Sequence, residues 1–154
     1  MRIFATIDEL AGAVGETLGP GEWFPVDQAR VGRFADATDD HQWIHVDPRR
    51  AADGPYGATI AHGFLTLSLI PILLRRLYQV EEVRMVINYG LNRVRFPAPV
   101  RTGSAVRADA TIASVQPVHG GVQLTMDVTV TADTSDKPVC VASTVSRLLV
   151  QPPS

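Results

Sequence analysis

The chain predicts an α+β fold: an antiparallel sheet wrapped around one long, buried helix. Three observations carry this. Residues 61–80 read AHGFLTLSLIPILLRRLYQV, with Phe64, Leu65, Leu67, Leu69, Ile70, Ile72, Leu73 and Leu74 on nearly every side of a helical wheel. A helix apolar all round belongs inside a protein. After Glu82 the texture turns to β-formers, in runs over residues 84–96, 106–115, 122–131 and 138–150, separated by PAPVRTGS, VHGG and ADTSDK. Everything before the long helix is short and rich in turn formers. Consecutive strands with hairpin-length links pair antiparallel, and such a sheet buries its apolar face on the helix. At 154 residues the chain is long enough for one domain, 1–154, with a sizeable core.

Each element has a local reason. Thr6 or Asp8 caps a short helix over 8–14, with Leu10, Ala11 and Val14 on one side. Glycines and Pro20 then break it. EWFPV at 22–26 predicts a short strand, which Pro25 confines to an edge or terminal position. Asp27 suits the N-cap of a helix carrying Ala29, Val31, Phe34 and Ala35 and ending near Thr38. Residues 39–48 show no clean period and predict a loop or a single turn. Pro48 opens another short helix, PRRAA, and DGPYG closes it. In the long helix Pro71 predicts a kink that frees a carbonyl near Leu67, while Arg75 and Arg76 complement the dipole in the last turns. Gly90 predicts a bulge or bend in its strand. The alternation in DVTVTADT predicts a sheet with one wet face. A sheet curved around one helix leaves edges, and dimerisation through an edge is the usual remedy.

Composition excludes several classes of function. Apolar residues make up 45% and charged residues 19%, which excludes a disordered chain. The net charge is −2, and Arg49–Arg50, Arg75–Arg76 and Arg93/Arg95 never extend into a stripe, so no nucleic-acid partner is expected. Cys140 is the sole cysteine; it forms no internal disulfide, suits a reducing compartment and reads as a buried apolar residue. The N-terminal MRIFATIDELAGAVGE carries acids where a secretion signal carries an apolar run. The apolar run 64–74 is far shorter than the roughly 20 residues of a membrane span. A cytoplasmic location and no membrane partner are the expectation.

The chemistry concentrates between Ala35 and Leu74, which holds His41, His45 and His62 of the four histidines. In DDHQWIH, Asp40 precedes His45 by five residues, and in a folded loop the two face one water. Hydration of a conjugated double bond needs a hydroxyl at one carbon and a proton at its neighbour. A carboxylate and an imidazole gripping a single water serve both transfers. Taken alone, the pair equally reads as an Asp ending a helix and a His filling a loop. His41-x-x-x-His45 has the spacing of helical metal ligands. However, no Glu follows His41, no cysteines assist, and Trp43, Ile44 and Val46 disfavour a helix, so no metal is expected.

FADATDDHQWIHVDPRRAA followed by GATIAHGFLTLSLIP resembles the MaoC-like dehydratase family, the R-specific enoyl-CoA hydratases, and NYGLNRVRFPAPVRTGS resembles that family's later strand and turn. The likeness covers roughly residues 26–150. The family motif Ser/Thr–Gly–Asp–x–Asn–Pro–Ile/Leu–His stands here as Thr38–Asp39–Asp40–His41–Gln42–Trp43–Ile44–His45. Asp40 and His45 therefore fall on its catalytic Asp and His. Asp39 for Gly, Gln42 for Asn and Trp43 for Pro are departures. Gln-Trp-Ile-His resembles a NodN-like branch, which bears on the substrate more than on the chemistry.

The resemblance implies a hot-dog fold, a homodimer and coenzyme A thioesters as substrates. The implied reaction is reversible hydration of a trans-2-enoyl-CoA to the (3R)-3-hydroxyacyl-CoA, with Asp40 as base and no metal or redox cofactor, coenzyme A being part of the substrate. A helix starting at Ala61–His62–Gly63–Phe64 aims the Gly63 N–H outward from its positive end, where it would steady a thioester oxyanion; otherwise Gly63 merely permits a turn. His62 is either a third group at the substrate or a residue packing or capping the helix start. Arg93 and Arg95 share a strand face and either meet coenzyme A phosphates, Arg95 foremost, or stay solvated. Gln42 stands at a motif position beside the substrate, and Trp43 and Tyr56 line an acyl pocket or simply pack. A hot-dog thioesterase and a non-catalytic acyl-thioester-binding protein are the rival readings.

Overall fold

The computed structural model describes residues 1–150. Its elements follow in the order β1 (Arg2–Phe4), α1 (Ile7–Gly12), β2 (Thr17–Leu18), β3 (Phe24–Val26), α2 (Gln28–Thr38), α3 (Trp43–Val46), α4 (Pro48–Ala52), α5 (Gly63–Arg75), β4 (Tyr78–Val80), β5 (Met85–Arg95), β6 (Ser104–Val118), β7 (Gly121–Ala132) and β8 (Cys140–Leu149).

The helix starts are set by side chains that satisfy free N–H groups. Thr6 accepts from the N–H of Glu9, Asp27 from Arg30 at 2.8 Å, and Asp47 from Arg50 at 3.1 Å, with Pro48 in the first turn of α4. The unperiodic stretch after α2 contains one helical turn, α3, as one of the two sequence alternatives allows.

A six-stranded antiparallel sheet runs β2-β6-β7-β8-β5, with β3 also on β6. Two features of it depart from expectation. Strand β5 does not pair with β6, its successor in the chain, but with β8, and residues 96–103 carry the chain from the β5 edge across to β6, which the short β2 and β3 flank on its far side. Alternation fixes which face a residue takes, not which strand lies beside it. The strand β2 was also not legible, nor were β1 and β4, which pair parallel in a separate two-stranded sheet: at two or three residues they carry no period, and their partners' backbones define them. Pro25 does sit in an edge strand, and the register of β5 slips between Asn88 and Gly90 and again between Leu91 and Arg93.

The core lies between the sheet and α5. Leu65, Leu69, Ile70 and Leu73 of the helix pack among Val106, Ile112, Leu124, Met126, Val130 and Leu148. Each fully buried side chain of this size contributes about 1.5–3 kcal/mol. The helix is not buried all round, a correction to the sequence expectation. The sheet covers one side only; Phe64 is 67% exposed, and Leu67, Ser68, Pro71, Leu74 and Arg75 continue its stripe along a cavity of about 790 Å³. Val86, Asn88 and Leu91 of β5 and Thr144 and Ser146 of β8 form the opposite wall. No helix among the described residues is long and apolar enough to cross a membrane.

Candidate active site

The stretch in which the sequence concentrates its candidate site residues starts where α2 stops. Asp39 adopts the left-handed conformation with φ 57° and ends the helix. Glycine reaches that conformation at no steric cost and Asp tolerates it, which accounts for the Gly of the family motif at this position. The turn brings out Asp40, whose carboxylate is 54% exposed and accepts a long bond, 3.4 Å, from the N–H of Gln42. Next to it the ring of His41 is tied to Asp36 of α2 at 2.8 Å, and that carboxylate raises the pKa of His41 above its ordinary value.

His45 lies on α3 and is 6% exposed. Its Nδ1–H donates to the Ile60 carbonyl at 2.7 Å. A carbonyl only accepts, so the neutral ring carries its proton on Nδ1 and a bare lone pair on Nε2. Burial lowers the pKa of His45; the nearby imidazole of His62 lowers it further, while the Ile60 bond and Asp40 oppose the shift. The backbone of His45 is also fixed. Gln28 donates to its carbonyl at 2.8 Å and accepts from the Thr59 hydroxyl, which shares a 2.6 Å hydrogen bond with Thr102.

His62 precedes α5 and is 3% exposed. Its Nε2–H donates to the main-chain carbonyl of Asp40 at 2.9 Å, and its ring stacks on that of His45 with centroids 3.7 Å apart. The ring of Phe34 approaches it at 4.9 Å. Asp40, His45 and His62 each bring one ligand-type atom to within 4.8 Å of the others. His41, the other half of the sequence's metal spacing, is not in this group. The stacked imidazoles lie only 21° from parallel. Their in-plane lone pairs therefore run in separate planes and do not meet at one ion about 2.0–2.1 Å from both.

Gly63 opens α5, so its N–H has no partner within the helix. A Cβ at this position would meet the ring of Phe96 at 3.0 Å, so the absence of a side chain here is a packing requirement as well. Phe96 in turn stands edge-on to Phe64 at 6.2 Å.

The remaining expected residues are more dispersed. Gln42 contributes backbone groups at the start of α3. Trp43 packs under the Arg50 guanidinium at 4.4 Å and against Gly54, not along the cavity beside α5. Arg95 is exposed and donates to the carbonyl of its neighbour Val94 at 2.7 Å. Sequence reasoning missed Gln28, Thr59, Phe34 and Phe96, whose contributions are long-range contacts with no local signature.

Residues 9–134 match the model of the MaoC like domain. The chain belongs to the MaoC-like dehydratase family. As a MaoC-like protein it is an enzyme of the hydro-lyase type, and its sheet around a helix is the hot-dog fold. It is 53% identical over 148 residues to 3-hydroxyacyl-thioester dehydratase Z of Mycobacterium tuberculosis, covering 96% of this chain and 98% of that one. It is 42% identical over 151 residues to nodulation protein N of Rhizobium leguminosarum bv. viciae, covering 96% and 93%. Among solved structures it superposes on the (R)-hydratase from A. caviae involved in PHA biosynthesis with a TM-score of 0.68 at 24% identity, over 88% of this MaoC-like chain and 96% of the other.

Proposed function

We propose that the protein reversibly hydrates a trans-2-enoyl thioester, coenzyme A being the simplest carrier, to the (3R)-3-hydroxyacyl thioester. The observation that carries this reading is the approach of Asp40 to a His45 whose tautomer leaves Nε2 bare; the Gly63 N–H, without a partner inside α5, follows directly on His62, whose ring stacks on His45. Water donates one hydrogen to the carboxylate and one to Nε2. The proposal gives the role of base to His45, whose bare Nε2 supports it, in place of Asp40, which the sequence favoured. As the water oxygen bonds to C3, Nε2 takes the proton and returns it to C2 on the same face. Asp40 holds the other hydrogen and faces the transient imidazolium. The Gly63 N–H stabilises the negative charge on the thioester oxygen. These steps call on no metal or redox cofactor.

The cavity beside α5 suits the acyl chain. It starts one turn past Gly63 and follows the helix, whose 13 residues span about 20 Å. The (3R) outcome follows the family relationship and the hydratase with the same fold. A second copy of the chain is the expected partner. Strand β5 is an edge, and Met85, Val86, Ile87, Tyr89 and Leu91 on it are all exposed.

The test is loss of enoyl absorbance with crotonyl-CoA or octenoyl-CoA. Asp40→Asn and His45→Gln should each lower turnover roughly 10²–10⁴-fold, and the double variant little further. Unchanged turnover in both single variants ends the proposal. A thiol-trapping dye run in parallel should stay silent; release of free thiol would make the protein a thioesterase.

A further inference from the structure

We infer that His62 is a positioning residue that locks the Asp40 loop and the His45 ring into one geometry, an inference that rests on the Asp40–His45 reading above. The N-cap of a helix usually carries a short side chain that folds back on the free N–H groups. His62 occupies that place for α5 and makes no such bond. Instead its Nε2–H reaches 22 residues back to the carbonyl of Asp40, and its ring covers a face of His45. The arrangement leaves Nδ1 buried with no hydrogen-bond partner among the described residues. Buried polar atoms without partners are uncommon, and one kept beside reacting groups points to a task there.

The task is visible in what His62 connects. The carboxylate comes from the loop after α2, the imidazole from α3 and the Gly63 N–H from α5, and His62 touches the first two while preceding the third. The ring of His45 makes a single hydrogen bond, from Nδ1 to Ile60, which fixes one of its edges and leaves the orientation of its plane to packing. Stacking sets that plane and keeps Nε2 aimed at the water shared with Asp40. Besides the main-chain bond, Nε2 of His62 lies 3.9 Å from the Asp40 carboxylate, so the same ring faces both groups of the pair. The ionisable groups acting on His45 are His62, which disfavours its protonation, and Asp40, which favours it.

Two variants separate the parts. His62→Gln keeps an N–H donor for Asp40 without the ring, and His62→Phe keeps the ring without the donor. Both should fold, and both should lose about 10²-fold in kcat on crotonyl-CoA with KM little changed, the usual effect of misplacing reacting groups by an ångström. Imidazole NMR provides a readout that needs no substrate. The wild type should show His45 as a single Nδ1–H tautomer, and His62→Gln should titrate His45 at higher pH. The inference is overturned if both folded variants keep wild-type kcat and wild-type His45 signals, or if neither variant folds. If the wild type itself fails to turn over enoyl-CoA, the hydratase reading falls, and the NMR comparison still decides the role of His62.

Discussion

The proton on His45 decides how the Asp40–His45 pair works. On the proposed mechanism the neutral ring is the base, and burial lowers its pKa, so kcat/KM should hold steady down to about pH 6.5 and fall only below it. An acid limb at or above the ordinary histidine value would contradict the assignment. The same shift affects stability. The native pKa lies below the unfolded one, so the unfolded chain takes up more protons in that window. Stability is full above about pH 6.5 and declines as the pH drops through the lowered pKa. His41 works the opposite way: its raised pKa adds stability below about pH 6.5 that is lost as the pH climbs through the raised value, and solvent screens it. Urea midpoints of wild type and His45→Gln at pH 7.5 and 5.5 isolate the buried ring, and the gap between wild type and variant should be wider at pH 7.5. The pair was legible in DDHQWIH because the two residues stand only five apart in the chain, Asp40 in the loop after α2 and His45 on the short α3 that follows it. The carbonyl that sets the tautomer lies 15 residues on, and nothing in the sequence marks it.

Among elements, α2, α3 and α5 meet at the site because short polar links tie them. Gln28 starts α2 and grips α3 through the carbonyl of His45, while Thr59 joins Gln28 to Thr102. Thr59 is buried, so Thr59→Val should cost about 1–3 kcal/mol in chemical denaturation, and Thr59→Ser should restore most of it. A full recovery by valine would show the link to be dispensable. The end of α2 offers a converse case: Asp39→Gly relieves a left-handed backbone and should raise stability by up to about 1 kcal/mol, whereas Asp39→Val should lower it. Helix limits were legible wherever a cap or proline stood at the boundary, as Asp27 and Pro48 do. The outward face of α5 was not. Its composition is apolar all round, and only the placing of β5 shows that one flank borders a cavity.

For the whole molecule, the sheet leaves β5 as a long edge with apolar side chains in the open. Sedimentation should find a dimer, and lysine at both Ile87 and Leu91 should yield monomers that keep their secondary structure, since charge on an edge strand opposes pairing. A wild-type monomer would remove the second copy from the proposal. The number of long strands and the wet face of the sheet were legible from alternation, but the neighbour of β5 was not. That neighbour, β8, has consequences for biosynthesis. β5 leaves the ribosome about 50 residues ahead of the strand it pairs with, and Phe96, which follows β5 and packs on Gly63, stands at the end of that late pairing. The nascent polypeptide can therefore complete its helices and the β6–β7 hairpin while the packing of Phe96 over Gly63, the proposed oxyanion donor, is still unmade. On the proposed mechanism, competence for chemistry waits until β8 has been translated.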